Sequence, residues 1–229
     1  KLAGKSYDEI AAAGGGIVST MKAIRAANDS ELLATLLKKI DLFIAQGVTT
    51  LEVKSGYGLD FESELKMLRI INKAGELRNI RIVPCFLGAH TVPPEFKSNR
   101  QGYIELILNK LMPVVKSENL ASRCDAFCES SAFSPSEVKI IFEQAKELGF
   151  NLTLHTDQFT NIGGLELAVS INALSADHLE VLKENQIPLI SSSNTVAVLL
   201  PGVSYTLDYN YAPARQLIDS GATVALATD

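Results

Sequence analysis

The stretch Ser134-Pro-Ser-Glu-Val-Lys-Ile-Ile-Phe-Glu-Gln-Ala-Lys-Glu-Leu-Gly-Phe-Asn-Leu-Thr-Leu-His155 holds one complete helix-then-strand unit. Ser134 and Pro135 read as a helix entry, and apolar residues at i, i+3 and i+4 predict an amphipathic helix over residues 137–148. Gly149 closes it, and residues 151–155 follow as an apolar run of strand length ending in a histidine. The same alternation extends in both directions. Apolar runs occur at 48–53, 80–86, 125–128, 173–177, 187–191 and 223–228. Helical patterns lie at 30–46 (capped by Asp29 or Ser30), 62–77 and 103–115.

Strands alternating with helices imply repeated βαβ units and a parallel sheet. The runs are continuously apolar, as strands covered on both faces require. An open doubly wound sheet would carry G-x-G-x-x-G after its first strand, and no such spacing occurs. A closed (β/α)8 barrel takes eight strands and about 250 residues. The expectation is therefore an α/β chain, a TIM-like barrel whose first strand and C-terminal part are missing, with residues 1–229 forming one partial catalytic domain that holds strands 2–8. The chain starts at Lys1 and stops at Asp229 directly after a strand-like run, which reads as an internal fragment of a longer protein. Residues 191–212 are expected to form a long irregular loop over the barrel mouth.

Composition narrows the function classes. Hydrophobic residues make up 47% and charged residues 21% of the 229, which excludes a disordered chain. A net charge of −5 with scattered lysines and arginines leaves no basic stripe for nucleic acid. No apolar run reaches the length of a membrane helix. The 3 cysteines, Cys85, Cys124 and Cys128, are too few for a disulfide framework and point to a reducing cytoplasm.

Chemistry concentrates at strand ends. The chain has 3 histidines, His90, His155 and His178, each at or just beyond the end of an expected strand, and Asp229 closes the last strand the same way. In a (β/α)8 barrel those ends share the catalytic face. Imidazoles and a carboxylate there can hold a metal in N/O coordination and leave a position for water. Ser55-Gly-Tyr-Gly58 follows the run 48–53 and can present the Tyr57 hydroxyl to a ligand. Cys124 and Cys128 read as core residues, and Glu129 as a solvated carboxylate. Gly4-Lys5-Ser6 lacks the upstream glycine of a phosphate loop, and Gly14-Gly15-Gly16 reads as a turn or a glycine-lined surface that admits substrate.

Six strings carry a resemblance: Glu52-Val-Lys-Ser-Gly-Tyr-Gly-Leu59, Phe86-Leu-Gly-Ala-His-Thr91, Leu154-His-Thr-Asp-Gln158, Ser175-Ala-Asp-His-Leu-Glu180, Val198-Leu-Leu-Pro-Gly202 and Ala225-Leu-Ala-Thr-Asp229. Together, from about Tyr7 to Asp229, they resemble the imidazolonepropionase family of the metal-dependent amidohydrolases. The resemblance implies a cytoplasmic hydrolase of histidine degradation. It would open the ring amide of 4-imidazolone-5-propanoate to N-formimino-L-glutamate with metal-activated water and one zinc or iron ion. It places His155 on strand 5, His178 on strand 6 and Asp229 on strand 8. His155 and Asp229 would be metal ligands, Asp229 and His178 catalytic groups, and Tyr57, His90 and Gln158 substrate contacts. The family's His-x-His pair is absent from this chain and is expected upstream of Lys1, as is the arginine that clamps the propanoate. The expected strand 4 ends Phe127-Cys-Glu129 without a lysine, which favours a mononuclear site. The partner is a small molecule, with no nucleic acid and no membrane, and a homodimer is compatible. Competing readings are another mononuclear amidohydrolase, either a cyclic amide hydrolase or an aromatic deaminase, and a catalytically silent barrel.

Overall fold

A computed structural model describes residues 16–228. Gly4-Lys5-Ser6, Gly14, Gly15 and Asp229 lie outside the described residues. The chain divides into two compact units, residues 1–123 and 124–229.

The first unit opens with helices α1 (Ile17–Ala26) and α2 (Asp29–Ala45). Asn28, rather than Asp29 or Ser30, caps α2: its side chain accepts from Glu31 N–H at 2.9 Å while the Glu31 carboxylate accepts from Asn28 N–H at 3.1 Å. Two orphan donors at the helix start are met by this reciprocal box. Strand β1 (Thr50–Lys54), helix α3 (Phe61–Glu76) and strand β2 (Arg81–Ala89) then make one parallel βαβ unit, with Thr50 opposite Arg81 and Lys54 opposite Cys85. Asp60 caps α3 through Ser63 N–H at 2.7 Å. The helix buries Leu65, Leu68, Ile70, Ile71 and Ala74, the stripe its apolar spacing predicts.

The helix expected at 103–115 is three pieces: α4 (Arg100–Leu106), a π-helical turn (Ile107–Leu111) and α5 (Met112–Ser117). Pro113 sits in the first turn of α5 and has no N–H to give to the turn before it, so the ladder changes register there.

The division falls at the start of strand β3 (Arg123–Cys128). The second unit continues with α6 (Pro135–Glu147), β4 (Asn151–Thr156), α7 (Gly164–Ser170), β5 (Ser175–His178), α8 (Ile187–Ser191), β6 (Val196–Leu199), α9 (Pro201–Leu207), α10 (Ala214–Asp219) and β7 (Val224–Leu226). Its strands lie side by side in chain order, and the pairs from β4 to β7 are parallel. From their second residue, β3 and β4 are buried throughout, as is all of β5, in keeping with their continuous apolar reading. Cys124 and Cys128 are buried core residues, as expected.

Two expectations fail together. Residues 187–191 are helix α8, not a strand, and the strand β6 lies inside the stretch 191–212 expected to be irregular. Pro188 is the reason: it sits in the first turn of a helix, where its missing N–H costs nothing, and would break a central ladder. The run Val196-Ala-Val-Leu199 takes the place in the sheet, fastened to the end of the β4–β5 crossover. Thr195 Oγ1 donates to the Ala173 carbonyl at 2.9 Å and Val196 N–H to the Leu174 carbonyl at 2.9 Å.

Candidate metal centre and candidate substrate contacts

Register brings the first pair of site residues together. In the β4–β5 ladder His155 stands opposite Asp177 and Thr156 opposite His178. Opposite residues of a parallel pair project to the same face. Asp125 on β3 joins them: one ligand atom from each of Asp125, His155 and Asp177 falls within 4.8 Å of the others. All three are buried, Asp125 completely.

The His155 ring Nδ1 lies 3.1 Å from Asp125 Oδ1. A carboxylate oxygen can only accept here, so Nδ1 carries the proton and Nε2 keeps the lone pair. A metal-binding imidazole needs that arrangement, with a carboxylate behind it fixing the tautomer. The chemistry of these donors, the His155 imidazole nitrogen and the Asp177 carboxylate with Asp125 behind the imidazole, suits a zinc or ferrous ion. The neighbouring thiols do not compete, because burial raises the pKa of Cys128 to about 12 and that of Cys124 further still.

His178 ends β5 in an unusual conformation. It has φ 87° and the following Leu179 has φ 68°, both in the region that side-chain-bearing residues avoid. The chain is held there by Leu179 N–H on the Thr156 carbonyl at 3.2 Å and Val181 N–H on the Asp157 carbonyl at 2.9 Å. Strain of this kind persists only where surroundings impose it, and it collects at functional sites. The turn brings Glu180 back beneath the ring, with Nδ1 of His178 3.3 Å from Glu180 Oε1, which also accepts from Ser204 Oγ. Glu180 Oε2 is buried without a hydrogen-bond partner among the described residues. The His155 and His178 rings are 5.5 Å apart.

Gln158 lies beyond the tip of β4 and donates through Nε2 to the Tyr209 hydroxyl at 2.7 Å. Phe159 meets the same Tyr209 ring edge-on at 5.5 Å. Glu129 is not solvated as expected. It is buried, and its carboxylate accepts from Phe159 N–H at 2.9 Å, Thr160 N–H at 3.1 Å, Ser130 N–H at 2.8 Å and the Thr160 hydroxyl. A carboxylate loses less by burial when N–H dipoles replace its water, and this loop supplies them. Asp157, beside Gln158, has its carboxyl pKa raised to about 7 by burial.

Tyr57 and His90 meet in the first unit. The Tyr57 ring stands perpendicular to the His90 ring at 4.9 Å, and His90 Nδ1 donates to the Gly56 carbonyl at 2.9 Å. Since a carbonyl only accepts, His90 is the Nδ1–H tautomer. Of the residues singled out in the sequence, the structure thus joins His155 to His178 and Tyr57 to His90, and places Gln158 on the loop after His155. Asp229 lies outside the described residues. Asp125 and Asp177 escaped the reading, although a charged residue inside an apolar strand is itself a signal that a buried partner awaits it.

No protein-family model matches the chain. Among curated proteins it is 50% identical over 229 residues to the imidazolonepropionase of Thermoanaerobacter pseudethanolicus, covering all of this chain and 55% of that protein. It is 46% identical over 230 residues to the imidazolonepropionase of Caulobacter vibrioides, covering 57% of it, and 44% identical over 229 residues to that of Fusobacterium nucleatum, covering 55%. The chain therefore spans little more than half the length of these relatives. Among solved structures, a guanine deaminase from C. acetobutylicum with bound guanine matches 92% of this chain and 52% of its own at a TM-score of 0.68 and 15% identity. An adenine deaminase from Arthrobacter aurescens matches 92% and 65% at a TM-score of 0.70 and 11% identity. An adenosine deaminase from Xanthomonas campestris with bound zinc matches 91% and 48% at 0.63 and 15%. Likeness at such identity speaks for the fold alone, a TIM-like barrel, which is the fold class read from the sequence.

Proposed function

Starting from a chain related along its full length to the imidazolonepropionases, we propose that the protein carrying it hydrolyses the ring amide of 4-imidazolone-5-propanoate to N-formimino-L-glutamate, a step of histidine degradation. The observation that carries this reading is identity of 44–50% over all 229 residues to proteins of that name. Residues 1–229 serve within one catalytic barrel domain of a cytoplasmic protein. Among the described residues no helix is long and apolar enough to cross a membrane.

One zinc or iron ion would be held by His155 through Nε2 and by Asp229, with Asp125 orienting the imidazole and Asp177 adding a carboxylate within reach. When bound, such an ion supplies a Lewis acid and brings the pKa of a water near neutrality. The remaining steps belong to the side chains. Asp229 takes a proton from the attacking water and returns it to the ring nitrogen as the C–N bond breaks. His178, held on Glu180 through Nδ1, polarises the carbonyl oxygen as negative charge develops there. Tyr57, His90 and Gln158 hold the ring and its substituents.

The test is turnover by the full-length protein, followed as loss of imidazolone propanoate and appearance of N-formimino-L-glutamate, with metal content measured in parallel. His155→Ala and Asp229→Ala are expected to lose metal and activity together, and His178→Ala to keep metal but turn over more slowly. Turnover of guanine or adenine in place of the imidazolone, or full metal content in His155→Ala, would overturn the reading.

A further inference from the structure

Between β1 and α3 the chain reverses over Ser55–Asp60, and three backbone N–H groups of this turn point inward. All three find one acceptor. The Glu64 carboxylate accepts from Gly56 N–H at 3.0 and 3.1 Å through its two oxygens, and through Oε1 from Gly58 N–H at 2.8 Å and Leu59 N–H at 2.9 Å. Glu64 is fully buried in α3, close to that helix's N-terminus, where the positive end of the dipole favours an anion. Burial pushes its carboxyl pKa up, while the same N–H bonds and the Ser55 hydroxyl pull against that. Ser55 in turn accepts from Leu87 N–H at 3.0 Å, tying the turn to β2, and Arg25 Nε donates to the Gly58 carbonyl at 2.7 Å.

The turn has no slack. Gly56 has φ +94°, and a Cβ there would fall 2.5 Å from the Leu87 carbonyl oxygen; one on Gly58 would fall 2.7 Å from Ser63. Tyr57 is thus clamped between two glycines whose N–H groups both end on Glu64. The peptide group next along the same clamp is the Gly56 carbonyl, which receives the His90 Nδ1 proton.

We propose that Glu64 is the positioning residue of the Tyr57–His90 pair, its buried carboxylate setting the turn so that the Gly56 carbonyl fixes His90 as the Nδ1–H tautomer and Tyr57 stands against its ring. The substrate-facing consequence rests on the function proposed above; the effect on the His90 tautomer does not. In the full-length, metal-loaded protein, Glu64→Gln keeps the volume and one oxygen acceptor, removes the charge, and puts an amide NH2 against Gly56 N–H, the one donor that also reaches Oε2. The expected result is twofold. Nitrogen NMR of the His90 ring, assigned by its loss in His90→Ala, shows the Nδ1–H form in the parent and a mixture of tautomers in Glu64→Gln. KM for the imidazolone rises about tenfold with a smaller change in kcat and unchanged metal content. Should Glu64→Gln fail to fold, Glu64→Asp, which keeps the charge but shortens the reach, is read by the same two measurements. Retention of the Nδ1–H tautomer, with or without a loss of thermal stability, overturns the proposal. A parent protein that does not turn over the imidazolone, yet shows the tautomer change, overturns the substrate reading and leaves Glu64 as the anchor of His90.

Discussion

Two loops that carry candidate substrate contacts are built on the same device at opposite ranges of sequence. The turn Ser55–Leu59 is held by Glu64, five to eight residues away in the helix it leads into. The loop carrying Gln158 is held by Glu129, some thirty residues earlier at the end of β3. Each glutamate is buried and spends its oxygens on backbone N–H groups. A carboxylate used this way sets loop shape directly, since each N–H bond fixes the peptide that bears it. The difference lies in what is held. Glu64 closes a local turn that is already tight, whereas Glu129 bridges two strand ends and so carries more of its loop alone.

The largest effect expected from this contrast is on stability. Glu129→Ala leaves the N–H groups of Phe159 and Thr160 and the Thr160 hydroxyl without their acceptor in a buried setting. Loss of about 3 kcal/mol of unfolding free energy is expected for the full-length protein, measured by denaturant titration. A loss below about 1 kcal/mol would mean that water replaces the carboxylate and the loop is not carried by it.

Two glycines separate backbone strain from space. Gly56 and Gly163 have nearly equal φ, +94° and +96°, but a Cβ on Gly56 meets the Leu87 carbonyl at 2.5 Å while on Gly163 the nearest atom is the Glu166 carboxylate at 4.0 Å. Gly163→Ala pays for conformation alone, about 1 kcal/mol. Gly56→Ala pays for conformation and overlap with a backbone atom, about 2–3 kcal/mol. Equal losses in parallel melting curves would show that the Ser55–Leu59 turn has more slack than its packing indicates.

Much of this was legible, for reasons that also explain the gaps. Strands such as 151–155 stand out because a sheet covered on both faces demands an unbroken apolar run. Ile187-Pro-Leu-Ile190 meets that demand equally well, and only Pro188 distinguishes helix α8 from a strand. His155 and His178 announced themselves by ending strands. Asp125 and Asp177 sat inside the same runs and went unremarked, although a carboxylate among apolar neighbours implies a partner that repays its desolvation. Glu64 is harder to see. In a helix reading it is one of several acidic residues of the first turns, and its burial follows from the N–H groups of a turn whose geometry the sequence does not print. Glu129 misled because its donors come from about thirty residues away, beyond any local pattern.

A smaller effect tests the second unit's centre. Asp125→Asn keeps the shape beside His155 but presents an amide in place of a carboxylate to Nδ1. Metal affinity of the full-length protein is expected to fall about 10–100-fold, read as the chelator concentration that strips half the ion. If affinity is unchanged, Asp125 does not orient His155. If all metal is lost, Asp125 is itself a ligand and the cluster with Asp177 binds directly.

The smallest expected effects return to the two loops and ask which one grips the substrate more firmly. Tyr57→Phe leaves the ring edge-on to His90 and removes only the hydroxyl, so kcat/KM should fall by about 1 kcal/mol, near fivefold. Tyr209→Phe touches the proposed substrate contact, Gln158, one step removed. It takes away the acceptor of the Gln158 amide, whose position is still set by Glu129 through the next two residues, Phe159 and Thr160. A loss of about 0.5 kcal/mol follows if the Glu129 clamp dominates. A larger loss for Tyr209→Phe than for Tyr57→Phe would invert the comparison: the Gln158 loop would then depend on its side-chain contact rather than on the buried carboxylate beneath it.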